Sequence, residues 1–113
     1  MPYYVYITTN PGKTTLYIGM TNKLSKRLNE HFENRGDPET FAGKYYCYKL
    51  IYYEAYKTSQ QAIEREKELK KWRREKKERL INNVNPDWEF LNYKDDFRVG
   101  KYNFICHFER SIA

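Results

Sequence analysis

Tyr6 and Tyr17 fall in two short runs of β-branched and aromatic residues, and Gly19 lies two positions beyond the second tyrosine. Aromatic pairs on neighbouring strands commonly do no more than pack. A glycine inside a strand, however, marks close approach of a ligand or another backbone, so the pair also qualifies as part of a binding site. Arg27 and His31 are four apart in a helical pattern and share a face. As solvated cations they repel one another slightly, whereas a phosphate between them would engage both. Arginine offers a bidentate fork, and histidine exchanges a proton near neutral pH. Glu66 lies on the stripe Ala62, Glu66, Leu69, Arg73 of a second helical segment, where an inward-facing carboxylate is out of place. Either nearby bases neutralise it in a buried salt bridge, or it holds a cation such as Mg²⁺. That ion takes one or two protein carboxylates and leaves its other positions to water and substrate phosphate. Residues 65–79 carry nine Lys or Arg against four Glu. Such runs are usually solvated helix faces stapled by i, i+4 pairs, and an excess of this size also suits the tracking of phosphates. Together these residues contain the parts of a phosphodiester-cleaving site.

The elements that must position them follow from local pattern. Residues 3–8 and 15–20 read as strands. Asn10-Pro11-Gly12-Lys13 between them suits a type II turn with Gly12 at positive φ, which makes the two runs a hairpin. Asn22 is a candidate cap for a helix reaching Asn34, with Leu24, Leu28 and Phe32 as its buried stripe. Gly36-Asp37-Pro38 ends that helix and opens a polar loop to Lys44. Residues 45–56 are apolar on both alternating faces apart from Lys49 and Glu54, as in a strand covered on both sides. Thr58 and Gln61 form a capping box ahead of the helix that carries Glu66. A further helix follows near Trp72, and Asn85-Pro86 stops it. Residues 102–108 have strand character, interrupted upstream by Asp95, Asp96 and Gly100. The order β-β-α-β-α-α predicts an α+β fold, a three-stranded, mainly antiparallel sheet flanked by helices.

Composition narrows the classes further. The chain has 113 residues, one domain's worth, and a net charge of +6. No apolar run approaches the roughly 20 residues of a spanning helix, and Met1-Pro2-Tyr3-Tyr4 has neither the basic nor the apolar region of a secretory signal. Aromatic residues make up 18%, which disfavours disorder. Cys47 and Cys106 belong to no Cys-x-x-Cys pair, so a zinc site is not expected and both read as reduced thiols of a cytoplasmic protein. The positive balance suggests an anionic partner, most simply nucleic acid.

Taken in order, these residues resemble the GIY-YIG nuclease domain. Tyr4-Val5-Tyr6 corresponds to its first motif strand, and the second stands intact as Tyr17-Ile18-Gly19. Arg27 follows Gly19 by eight residues and His31 follows Arg27 by four, as in small stand-alone members with an excinuclease-subunit-C-like domain. Ala62-Ile63-Glu64-Arg65-Glu66 matches the helical glutamate. The resemblance covers about residues 2–85. Tyr4 stands where the family name has glycine. Met20 replaces the lysine that follows the second motif in excision-repair subunits, which removes one phosphate contact. Asn82, Asn83 and Asn85 are all candidates for an asparagine many members place after the glutamate helix.

The resemblance implies a GIY-YIG-like domain over residues 1–89, with a C-terminal tail over 90–113. It implies a metal-dependent DNA endonuclease of repair or recombination, with Glu66 holding one Mg²⁺ or Mn²⁺ at the scissile phosphate. Tyr6 or Tyr17 would accept the proton of the attacking water. Tyrosine ordinarily titrates near ~10, so the metal and nearby cations must lower that value or the metal must activate the water. Arg27 would neutralise charge on the phosphorane, and His31 would orient water or assist proton transfer. Lys67, Lys70, Lys71, Arg73, Arg74, Lys76 and Lys77 would bind DNA, with Trp72 packing rather than stacking on a base. No small-molecule cofactor or membrane is implied; a protein partner is compatible. Two other readings keep the same residues: a nucleic-acid-binding module with weak or no catalysis, and a protein-interaction domain. For the nuclease reading, Tyr6, Tyr17, Arg27, His31 and Glu66 must converge on one concave face.

Overall fold

The computed structural model describes residues 2–93; the expected strand over 102–108 and Cys106 lie outside them. The chain runs β1 (Tyr3–Thr9), β2 (Leu16–Thr21), α1 (Leu24–Glu33), α2 (Phe41–Lys44), β3 (Lys49–Tyr56), α3 (Ser59–Lys71), α4 (Arg74–Val84) and a 3-10 turn at Leu91–Tyr93. The three strands form one antiparallel sheet in the order β2-β1-β3, the expected α+β architecture. β1 is central because nearly every residue in it is apolar or aromatic, so both its faces can be covered. Alternation along it divides the interior. Tyr4 and Tyr6 join Leu24, Leu28, Leu50 and Tyr53 beneath α1, whereas Val5 and Ile7 join Ile18, Ala62, Leu69 and Ile81 beneath α3 and α4. A register shift between Ile7 and Thr8 leaves Ile51 without a partner on β1, so Ile51 and Tyr52 both reach the second core.

Several local expectations are corrected. The hairpin turn is not type II: Lys13, at φ 60°, is the left-handed residue, and Gly12 does not take positive φ. The Asn10 carbonyl accepts from the Lys13 amide at 2.8 Å, while its side-chain Oδ1 accepts from the Thr14 and Thr15 amides. Those two bonds close the turn one residue later than the Pro-Gly pair suggests. Asn22 does not cap α1. The helix starts from Lys23, which makes no side-chain cap bond, and its amide donates to Oγ1 of Thr21, the last β2 residue, at 3.0 Å. Phe32 is not buried; it is 48% exposed, with the Arg35 guanidinium over its ring at 3.8 Å and Tyr48 against its edge. The stretch to Lys44 is not a loop throughout. Thr40 Oγ1 accepts from the Gly43 amide and starts the one-turn helix α2. β3 therefore begins at Lys49 rather than Tyr45, after a left-handed Tyr46 at φ 58°.

The second half follows its signals. Thr58 and Gln61 make the reciprocal capping box of α3. Extended backbone at Trp72 and Arg73 breaks α3 from α4, and Asn85 ends α4. Buried Asn85 donates to the carbonyls of Ile51 and Glu89 and accepts from the Glu89 amide, tying the end of α4 to the sheet.

Candidate active site

Tyr6 and Gly19 are direct partners across β1 and β2. A side chain at residue 19 has no room, because its Cβ would lie 2.6 Å from Cζ of Tyr6 and closer still to the hydroxyl. The close approach signalled by that glycine is therefore made by the protein's own tyrosine. Its ring crosses the strand and carries the hydroxyl to α1, where His31 Nε2 lies 2.8 Å away. Tyr17 completes the aromatic contact, its ring centroid 6.3 Å from Tyr6 and 5.3 Å, edge-on, from His31. A Gly19→Ala substitution should displace the Tyr6 hydroxyl. Since a misplacement of about 1 Å can cost roughly 100-fold in rate, any reaction that depends on this hydroxyl should slow by about that factor with circular dichroism still reporting a folded chain.

Electrostatics draws in the remaining two residues. Burial raises the pKa of the Tyr6 hydroxyl above its ordinary 10; Tyr17 and Glu66 push the same way, and the Arg27 charge opposes them. Burial, and then Arg27, lower His31 below its ordinary 6.5, so the imidazole is neutral at physiological pH. Arg27 on α1 and Glu66 on α3 thus act on the same hydroxyl with opposite sign. Arg27 itself is held only loosely, in an exposed pair with Glu30 at 3.5 Å, of a kind that contributes little.

Glu66 is not the buried carboxylate that its stripe suggests. Its side chain is 21% exposed and faces Lys70 at 3.4 Å. The buried acid is Glu54 on β3, fully enclosed and paired with Arg65 at 3.0 Å. Arg65 is thereby withdrawn from the basic surface. Of the other cations, Lys67, Lys70, Lys71, Arg73, Arg74 and Lys76 are exposed and Lys77 is half-buried. Burial and Arg74 lower the pKa of Lys77. Arg74 also anchors α4 to the hairpin by donating to the Thr14 carbonyl at 2.7 Å. Trp72 packs against the second core, with Arg65 and Lys76 over its ring at 5.1 and 4.3 Å. Among the asparagines, Asn82 accepts from Trp88 Nε1, Asn85 holds the end of α4, and Asn83 is exposed.

Among the described residues, no three His, Cys, Asp or Glu side chains form a ready-made cage for a metal. One accessible carboxylate, Glu66, fits an ion such as Mg²⁺ that keeps most of its water and takes phosphate oxygen from a substrate. The local sequence pattern did not disclose two groups, one beside the site and one on the opposite face of the sheet. Phe41 of α2 stacks on Tyr17 at 6.2 Å and lies 4.8 Å from Tyr45, with Phe41 and Tyr45 both largely exposed. The signal was Thr40 three residues before Gly43, a cap in what otherwise reads as polar loop. The other is Glu54, which alternation with Tyr52 and Tyr56 places on a covered strand face.

A tyrosine-bearing hairpin, an arginine and histidine on the following helix and a glutamate on a later one define a class of protein. The GIY-YIG catalytic domain matches residues 2–79, and the chain belongs to this family of endonuclease domains. Within the family it is similar to the UPF0213 proteins. One from Bacillus pumilus is 35% identical over 75 residues, which span 66% of this chain and 74% of the relative. Another, from Haloquadratum walsbyi, is 33% identical over 78 residues, covering 69% and 84% of the two chains. The solution NMR structure of a UPF0213 protein from Bacillus halodurans aligns with a TM-score of 0.50 at 26% identity, over 84% of this chain and 98% of that one. Among the described residues no helix is long and apolar enough to cross a membrane.

Proposed function

We propose that this chain is a cytoplasmic metal-dependent endonuclease that hydrolyses DNA phosphodiester bonds in repair or recombination. The observation that carries the reading is the Tyr6–His31 hydrogen bond, set where the charges of Arg27 and Glu66 both act. Because burial keeps Tyr6 protonated, it works as one half of a relay. Tyr6 Oη takes a proton from the attacking water while its own proton passes to Nε2 of neutral His31. Arg27 faces the phosphate and offsets the negative charge that grows on it during attack. Glu66 holds the Mg²⁺ or Mn²⁺ ion, which supplies Lewis-acid polarisation of the phosphate. Lys67, Lys70, Lys71, Arg73, Arg74, Lys76 and Lys77 extend the anion-binding surface from the Glu66–Lys70 pair along α3 and α4.

The deciding experiment incubates the purified protein with branched, nicked and plain duplex DNA, with Mg²⁺, Mn²⁺ or chelator. Metal-dependent strand cleavage is expected. Affinity should fall steeply with salt, since each neutralised phosphate releases roughly one counterion; with six phosphate contacts, raising salt from about 50 to 200 mM should weaken binding on the order of 10³-fold. Salt-sensitive binding without cleavage would replace the nuclease with a binding module. Absence of DNA binding at low salt would leave the protein-interaction reading.

A further inference from the structure

The buried Glu54 has no part in the proton relay, yet it is the most completely partnered carboxylate among the described residues. It points from β3 toward α3, on the same sheet face as Tyr52 and Tyr56. Oε2 accepts from the Tyr52 hydroxyl and from Arg65 Nη2 at 3.0 Å; Oε1 accepts from the Tyr56 hydroxyl and from Arg65 Nε at 3.0 Å. Arg65 Nη1 donates onward to Glu68 at 2.9 Å, and the guanidinium lies over the Trp72 ring at 5.1 Å. Glu54, held by the tyrosines two residues either side of it on the strand, thus grips a single residue of one helix.

That residue immediately precedes Glu66. Apart from this fork, the fully buried side chains of α3 are Ala62 and Leu69, with Trp72 at its C-cap packed against the same core. Apolar contact is non-directional, so these contacts hold α3 on the sheet but specify its rotation less sharply than a hydrogen-bonded pair does. A bidentate guanidinium–carboxylate pair has one geometry. Successive helical residues are about 100° apart, so fixing the direction of Arg65 fixes that of Glu66.

We propose that Glu54, working through Arg65, is a positioning residue that sets the rotation of α3 and thereby aims Glu66 at the Tyr6 hydroxyl. The inference rests on the reading of Glu66 as the metal-holding residue. The two acids then have separate roles, in which Glu54 orients the helix and never meets substrate, and Glu66 meets the ion.

The test is the double substitution Glu54→Gln/Arg65→Met. It removes both buried charges together, so neither is left unpaired, and the introduced glutamine can still accept from the tyrosine hydroxyls. Glu54→Asp keeps the charge and shortens its reach, and decides the question in the same way if the double variant fails to fold. Each is compared with wild type by thermal melting, by the Mn²⁺ concentration that half-saturates cleavage, and by Mn²⁺ binding on a hydrolysis-resistant phosphorothioate duplex, read from the electron-spin-resonance signal of free Mn²⁺. Residues that hold a metal ligand in place alter affinity roughly 10–100-fold. We expect the folded variant to need at least about tenfold more Mn²⁺ and to bind it correspondingly more weakly, and the same substitution made on top of Glu66→Gln to add no loss beyond that of Glu66→Gln alone, as coupled sites require. A folded variant with wild-type Mn²⁺ demand, or losses that add to those of Glu66→Gln, overturns the positioning role while the nuclease reading stands. A wild-type protein that neither binds Mn²⁺ nor cuts overturns both.

Discussion

Glu66→Gln should abolish metal-dependent nicking and leave the melting temperature at or slightly above that of the wild type. Glutamine keeps the side-chain volume and hydrogen-bonding capacity but removes the charge that holds the cation. Loss of one preorganised electrostatic group costs roughly 100–1,000-fold, and loss of the only proposed protein ligand of the ion should cost at least that. Stability is little affected for a structural reason. Glu66 is partly exposed, and its partner Lys70 is a 54%-exposed lysine; such pairs contribute only about 0–1 kcal/mol. Glu68→Gln is the matched control: it removes an exposed carboxylate two residues on that meets only Arg65 Nη1, leaves the Nε and Nη2 bonds to Glu54 in place, and should cut normally. Nicking assays with Mn²⁺ beside thermal melts decide the matter. A Glu66→Gln protein that cuts like wild type, or that unfolds, removes Glu66 from the catalytic set.

Tyr6→Phe should lower the cleavage rate by roughly 100- to 10,000-fold, the range in which positioned proton transfer acts. The phenyl ring still fills the fully buried position, and the lost hydrogen bond to His31 costs about 1 kcal/mol. Tyr17→Phe leaves the Tyr6–His31 pair intact and should retain most of the rate; the opposite ranking would assign proton acceptance to Tyr17. The relay also has a pH signature. It needs neutral His31, so the acid limb of the rate should fall below pH 6.5, because burial and Arg27 lower the folded value. The sign for stability agrees. The unfolded histidine binds its proton first as pH drops, so the contribution of His31 is full above about 6.5 and is lost as pH falls toward the folded value. Rate–pH curves and melts across pH 5–8 test both; an acid limb centred above 6.5 would show that imidazole neutrality is not what the reaction requires.

Where both partners of an interaction lie within one turn or one element, the sequence alone determined the outcome. The capping box of Thr58 and Gln61, the stop at Asn85, the hairpin strands and the α+β class all follow from period and local hydrogen bonding. The motif tyrosines with Gly19, Arg27, His31 and Glu66 were legible as a set because their types and order are chemically restrictive. Local signals erred where two of them competed. Asn22 and Thr21 both offer a side-chain oxygen at the start of α1, and only the strand's end point gives that place to Thr21. Phe32 continues an apolar stripe that runs past the edge of the sheet, so it finds Arg35 and Tyr48 instead of a core.

Tertiary structure alone decided which carboxylate is buried. Glu54 and Glu66 each interrupt an apolar pattern, and the pattern singled out Glu66 although the enclosed acid is Glu54. Burial of a carboxylate is tolerated only with its oxygens fully hydrogen-bonded, and the four donors that meet this demand come from Tyr52, Tyr56 and Arg65, brought together by the packing of α3 on the sheet. Likewise the space above Gly19 is filled by a tyrosine from the opposite strand. The charges that set Tyr6 and His31 come from α1, β2 and α3. Residue types and spacing can name the candidate groups for the chemistry. Distances across the sheet decide which of them carries a proton and which is free to meet an ion, because desolvation and Coulomb interactions depend on neighbours in space, not neighbours along the chain.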